Sequence, residues 1–410
     1  MIEDGLVVSG GVSALARGLI DSRAETDEAF QTDFLLTYRY FASPQEVVSL
    51  LSSFFVEKGS DPEVQGRVIS VLASLLDADP HLFAAVDSES VNALEQVLAF
   101  VDAAFRSRPE RRVVEALRSL ARSAIHAVPP AKEVVYSPLL ESIPSSAPLQ
   151  MVLETLAPSQ PIPLDPERAE QMLLETDVAV VAAEMTLISF GLYSRIEPIE
   201  CLHSTFSDEP ERTPAFTAWT RFTNRMRAWV VSCILRPQKS KMRAKVYAKL
   251  LKLPLELLKL QNFNDALNIW IALDVTPAIT RLKSLRESLP AGALSELSVC
   301  EVLFNPRKNN VQYLSALTRS TPPLVPVLSI FSSLLFKTDG AQPDVLPSGA
   351  INFRKLRLMG SVLRRHLAYQ SSPYYLPHSP AVSKCLRAAP FIPEKEWYDI
   401  SCKIEKPRRK

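Results

Sequence analysis

Apolar positions along this chain recur at helical spacing. Val47, Val48, Leu50, Leu51, Phe54 and Phe55 follow a 3.6-residue period. Ahead of them, Ser43-Pro44-Gln45-Glu46 reads as a capping box with proline at the first helical position. Asp165-Pro166-Glu167 and Pro393-Glu394 open later helices by the same logic. The longest unbroken apolar run, Val178 to Ala183, has six residues, against the ~18 to 20 that a bilayer-spanning helix needs. The pattern predicts an all-α protein, helical over almost its whole length.

One stretch interrupts that pattern. Between about 127 and 166 lie Pro129, Pro130, Pro138, Pro144, Pro148, Pro158, Pro161, Pro163 and Pro166, which break helix repeatedly and suit an extended connector. The chain is therefore expected to form an N-terminal helical unit over 8–128, a Pro-rich connector over 129–165 and a larger helical unit over 166–408. No repeat of 30 to 45 residues recurs, which argues against a solenoid.

Composition supports this picture and narrows the chemistry. Eleven glycines against 32 prolines disfavour hairpin-rich β structure, and 47% apolar residues suffice for two ordinary cores. The five cysteines are at least 17 positions apart and read as free thiols, not as a disulfide or zinc framework. The five histidines show no metal-binding spacing, and no glycine-rich phosphate loop occurs, so no metal or organic cofactor is expected. The first thirty residues lack a basic segment leading into a long apolar one, and a cytoplasmic chain is expected. The formal charge of +1 conceals a split: residues 1–218 carry 15 basic and 33 acidic side chains, and residues 219–410 carry 31 and 12.

Several segments resemble a known family when read in order. Ala182-Ala183-Glu184-Met185-Thr186-Leu187-Ile188 and Ile196-Glu197-Pro198-Ile199-Glu200-Cys201-Leu202 come first. Arg221-Phe222-Thr223-Asn224, Leu260-Gln261-Asn262-Phe263-Asn264 and Ile279-Thr280-Arg281-Leu282-Lys283 follow. Then come Pro322-Pro323-Leu324-Val325-Pro326, Phe336-Lys337-Thr338-Asp339-Gly340 and Ile351-Asn352-Phe353-Arg354-Lys355. Together they resemble the catalytic domain of Ras-family guanine-nucleotide exchange factors of the Son of sevenless type. Thr32-Asp33-Phe34-Leu35-Leu36-Thr37-Tyr38-Arg39-Tyr40-Phe41 is similar to the Ras exchanger motif that precedes that domain.

The resemblance implies an N-terminal exchanger motif packed on a catalytic bowl with a protruding helical hairpin at about 323–370. Its partner would be a small GTPase of the Ras, Rap or Ral type, whose GDP is released without covalent chemistry. By matching positions, Phe336 is the apolar wedge that blocks Mg²⁺ and Asp339 is the candidate acid at the α-phosphate position, while Lys337 and Thr338 help to position the hairpin. Arg221, Leu267 and Ile279 line the groove for a switch loop, with Asn264 and Asp274 on the same contact surface. Asn352, Phe353 and Lys355 anchor the return arm. Three positions depart from the family's pattern. Gly340 stands where an acid is usual, Asp274 where Asn is usual, and Asn310 near a usual aromatic.

Without the resemblance, the same residues have plainer readings. Phe336 is a core position, Asn264 and Asn352 are N-caps, and Arg221 is a solvated surface residue. Trp229 and Trp397 are core anchors under either reading. The altered hairpin tip favours a second function, a helical scaffold that binds a small GTPase or another partner without exchange.

Basic residues concentrate between Trp219 and Lys259, where eleven Lys or Arg meet a single acid, Glu256. No nucleic-acid module or aromatic stacking platform accompanies them, so no nucleic-acid partner is expected. Lys239-Ser240-Lys241-Met242-Arg243 and the tail Lys406-Pro407-Arg408-Arg409-Lys410 suit an anionic membrane surface. The alternatives are an intramolecular reading, with the acidic half docked on the basic half, steering of the basic half toward an acidic GTPase surface, and a plain solvated helix face.

Overall fold

A computed structural model describes residues 1–21, 27–57, 62–78, 149–160, 164–204, 210–307 and 309–405, together with 95, 96 and 99. Most of the connector, the part of the N-terminal unit after residue 78 and the basic tail lie outside the described residues. The described chain is all-α apart from isolated bridges and one small antiparallel ribbon, β1 (Ile2–Glu3) with β2 (Leu6–Val7).

The N-terminal unit contains α1 (Val12–Gly18), α2 (Phe30–Thr37), α3 (Pro44–Glu57) and α4 (Pro62–Ala78). Its capping box forms in part, with the Glu46 N–H donating to Ser43 Oγ at 3.2 Å. The periodic residues Val47, Val48, Leu51, Phe54 and Phe55 are buried with Phe30, Phe34 and Tyr38. Ile351, Phe353 and Leu356 complete this small core from more than 250 residues away.

The larger body holds α5 (Leu149–Leu156), α6 (Pro166–Glu175), α7 (Val178–Tyr193), α8 (Pro214–Leu235), α9 (Ser240–Leu250) and α10 (Leu253–Lys259). It continues with α11 (Phe263–Trp270), a π-turn at Ile271–Val275, α12 (Pro277–Thr280), α13 (Lys283–Glu287), α14 (Ser298–Leu303) and α15 (Val311–Arg319). The chain then runs through α16 (Leu328–Gly340), α17 (Phe353–Gln370), α18 (Pro380–Arg387) and α19 (Glu394–Ile404). Asp165 and Asp177 cap α6 and α7 by accepting from the Glu167 and Ala179 N–H groups. Helix α7 is buried on nearly every side, as its predominantly apolar composition requires, and its residues belong to the main core. Trp219, Trp229 and Trp397 are all core residues.

Two sequence features gain a structural account here. Helix α5, inside the expected connector, contributes Val152, Leu153 and Leu156 to the main core. Ion pairs also join the acidic and basic halves, with Glu3, Asp27, Asp33 and Glu154 meeting Arg354, Arg357, Arg364 and Arg221. Among the described residues, no helix is long and apolar enough to cross a membrane.

Candidate functional site

Among the described residues, the most exposed aromatic ring in a helix lined by core residues is that of Phe336, 64% accessible on α16. Leu328, Phe331 and Leu335 form the buried face of this helix, spaced three and four residues apart. Phe336 lies off that face and, like Leu334 and Lys337, is exposed. At 13 residues, α16 is about 20 Å long at 1.5 Å per residue, and α17 packs back along it to make a hairpin.

The base of the hairpin is fixed by a buried polar network. The Asn262 side chain caps α11 through the Asp265 N–H and donates to Thr186 Oγ1 at 3.0 Å and Asp265 Oδ2 at 2.8 Å. Asn264, 1% exposed, donates to Thr223 Oγ1 at 3.0 Å and Asp265 Oδ1 at 3.1 Å. Its own Oδ1 accepts from the Leu328 N–H at 3.1 Å, and Tyr313 Oη accepts from the Val327 N–H at 2.7 Å. Two of the orphan donors at the start of α16 are therefore satisfied by side chains of the main body. Burial pushes the Asp265 carboxyl up to about 6, while hydrogen bonds from Ser189, Asn262 and Asn264 act in the opposite direction. The Asn-Phe-Asn segment thus roots the hairpin from beneath.

At the tip, two arms are clamped by one lysine. Lys355 Nζ, on a side chain 4% exposed, lies 2.8 Å from Asp339 Oδ1 and 2.5 Å from Asp344 Oδ1. Burial alone would lower its pKa, but the hydrogen bonds and charges of the two aspartates outweigh burial and raise it. Asn352 caps α17 through the Lys355 N–H and donates to Gln342 Oε1 and the Pro343 carbonyl. Asp339 is therefore turned inward onto the return arm, and a Cβ on the exposed Gly340 would meet nothing within 4 Å. Lys355→Met should strand two carboxylates. Because both are partly solvated, the expected loss is about 1–3 kcal/mol, read as faster hydrogen exchange over 339–352 than in Lys355→Arg.

The N-terminal unit braces the return arm. Ile351 exchanges backbone hydrogen bonds with Gly10, and the Arg354 N–H donates to the Val8 carbonyl at 3.0 Å. The rings of Phe30 and Phe353 pack with centroids 5.0 Å apart. Arg357 grips Asp27 through both nitrogens, at 2.6 and 2.7 Å, and Arg364 pairs with the buried Asp33. Gly360 lets α2 and α17 approach closely, since a Cβ there would lie 2.9 Å from Asp33 Cγ.

The remaining predicted residues form a wall on α8, α11, the π-turn and α12, elements that pack on one another. Leu267 is buried and Ile279 is 0% exposed, which places Ile279 beneath the wall's surface. Asp274 is half-buried and paired with Arg286 at 2.9 Å. Arg221 turns toward α5, where it bonds Ser159 Oγ and pairs with Glu154 at 3.4 Å. Asn310 adopts a left-handed backbone at the start of α15, a conformation that asparagine tolerates. The hairpin residues Phe336, Lys337, Thr338, Asp339, Asn352 and Lys355 thus form one group. Arg221, Leu267, Asp274 and Ile279 form a second, and Asn264 links them.

Sequence reasoning did not single out Tyr313, Asp344, Asp27 or Gly360 for these roles. A glycine in the middle of a helical pattern was the one local signal available for close approach. Asp27 acts across 330 residues, while Tyr313 and Asp344 act between elements 14 and 11 residues apart, where helical periodicity does not report contacts.

Family comparisons agree with this architecture. The RasGEF domain model matches residues 180–357, and the RasGEF N-terminal motif model matches residues 7–123. The chain belongs to the family of RasGEF-domain proteins with an N-terminal exchanger motif. It is 26% identical over 98% of its length to Ras guanine nucleotide exchange factor P of Dictyostelium discoideum, covering 27% of that protein. Over 54% of its length it is 32% identical to the Rap guanine nucleotide exchange factor of Caenorhabditis elegans, covering 15% of it. A third relative, Ras guanine nucleotide exchange factor S of Dictyostelium discoideum, is 24% identical over 94% of the chain. The chain spans only 15% to 37% of the length of these three relatives.

Proposed function

We propose that this protein is a guanine-nucleotide exchange factor for a Ras-family small GTPase, of the Ras, Rap or Ral type. The observation that carries the reading is a hairpin rooted by Asn264, clamped by Lys355 and presenting Phe336 to solvent. Relatives named as Ras and Rap exchange factors support it.

The mechanism is one of linked binding. A GTPase holds GDP through phosphate contacts and Mg²⁺, with switch loops ordered around them. A partner that binds the nucleotide-free form better than the loaded form must lower nucleotide affinity by the same factor. On this reading Phe336 enters beside the Mg²⁺ position and displaces one switch loop, while the wall around Leu267 and Asp274 holds the other. With Asp339 turned onto Lys355, apolar occlusion does more of the work than charge repulsion at the phosphate.

That inward turn of Asp339, with Gly340 where an acid is usual, also favours a second reading: a scaffold that binds a GTPase without releasing its nucleotide. Release of a fluorescent GDP analogue from a panel of Ras, Rap, Ral and Rho proteins separates the two. Exchange predicts acceleration with at least one member, and no acceleration by micromolar protein with any of them leaves only the scaffold.

A further inference from the structure

The fold sorts the basic run on α8 to α10 into two sets. Arg225, Arg236, Arg243 and Lys249 donate to backbone carbonyls, while Arg227 and Lys259 pair with glutamates. Together with Arg221, which pairs with Glu154 of α5, seven of the eleven cations are thus committed inside the molecule. Lys239, Lys241, Lys245 and Lys252 are left, all exposed and without an acidic partner among the described residues.

Three of these four share one side. At 100° per residue, Lys241, Lys245 and Lys252 project from one side of α9 and its continuation, and Lys239 is the N-cap residue. Arg243, Val246, Tyr247 and Leu250 occupy the opposite, buried side. The helix is held firmly, with Tyr247 Oη donating to the Leu273 carbonyl at 3.0 Å. Lys249 senses the crowding. Burial lowers its pKa first, and repulsion from Lys245 and Lys252 adds to this against the attraction of Asp177. Among the lysines stands Met242, 39% exposed.

We infer that this face of α9 is a docking surface for an anionic lipid bilayer. Three unpaired ammonium groups on one side of the helix and a fourth at its N-cap, with no arginine fork among them and an exposed apolar thioether nearby, match a diffuse sheet of negative charge. An acidic protein surface is a poorer match, because it would be met by fixed pairs in a shaped site. Each lysine held at such a membrane strengthens partitioning roughly fivefold, and the effect fades within a Debye length.

The test is co-sedimentation of the whole chain with phosphatidylcholine vesicles with and without phosphatidylserine. Binding is expected only to the anionic vesicles, and should weaken from physiological salt to about 1 M, where the Debye length falls to about 3 Å. Lys241→Glu with Lys245→Glu should reduce partitioning by about tenfold or more, whereas Lys241→Arg with Lys245→Arg should keep it. Equal sedimentation with both vesicle types, or unchanged binding by the charge-reversed variant, overturns the proposal. So does a charge-reversed variant whose only defect is weaker association with a soluble GTPase, which would mark the face as a protein contact. The readout is lipid binding, so the result stands whether or not the protein catalyses exchange.

Discussion

Phe336→Ala is expected to lower the GDP release that this protein stimulates from its GTPase by about 30- to 1,000-fold, corresponding to about 2–4 kcal/mol for removing a buried aromatic anchor from an interface. The same change should leave folding within about 0.5 kcal/mol of the parent, as for other exposed surface positions. That separation follows from geometry. In the free protein the ring is 64% accessible and lies off the face where Leu328, Phe331 and Leu335 pack. Its apolar area is therefore available to be buried only against a partner. Single-turnover release kinetics and thermal unfolding of the same preparation check both halves. Release within twofold of the parent would remove Phe336 from the wedge position, and a large fall in stability would return it to the core. Asp339→Asn makes a useful companion. Because that carboxylate is engaged by Lys355, its substitution should alter release far less than loss of the ring.

Much of the architecture was legible in the sequence because it is written locally. The 43–55 stretch announced both its cap and its buried face, and the aspartate-led start of α6 behaves as its sequence predicts. Asn352 is the N-cap that its position suggested. Asn264 illustrates the limit. It looks like a cap for its own helix, but Asn262 takes that role while Asn264 accepts from Leu328, 64 residues away. No periodicity reports a hydrogen bond to a different helix. Arg221 is a similar case, since its direction is set by α5, from a segment whose prolines read as connector. The clamp on Lys355 needs two aspartates from the hairpin turn to converge on one nitrogen, which depends on how twelve residues of loop fold and not on spacing. The basic run shows the same thing in reverse. Its charge was visible in the sequence, but only the fold distinguishes the cations bound to carbonyls from the four lysines left on and flanking α9.

The contact between the N-terminal unit and the hairpin should be the most sensitive part of the molecule to a single truncation. Asp27 is almost fully buried, accepts from the Val7 N–H at 3.0 Å and meets both terminal nitrogens of Arg357. Asp27→Ala leaves the Arg357 side chain, itself only 15% exposed, without its partner. Breaking such a pair from one side costs about 3–5 kcal/mol, because the remaining charge stays desolvated. Asp27→Asn, which keeps the shape and the Val7 bond, should fall between the two. Gly360→Val attacks the same contact sterically, by placing a branched side chain against the Asp33 carboxylate, and should cost about 1–3 kcal/mol. In all three variants the hairpin keeps its root at Asn264 and loses only its brace. Hydrogen exchange should therefore accelerate in α2 and the first turns of α17 before it does so in α7 or α8. If exchange instead rises uniformly, the two units unfold together and the brace is part of a single core. If it does not rise at all in Asp27→Ala, the ion pair contributes nothing to holding the hairpin.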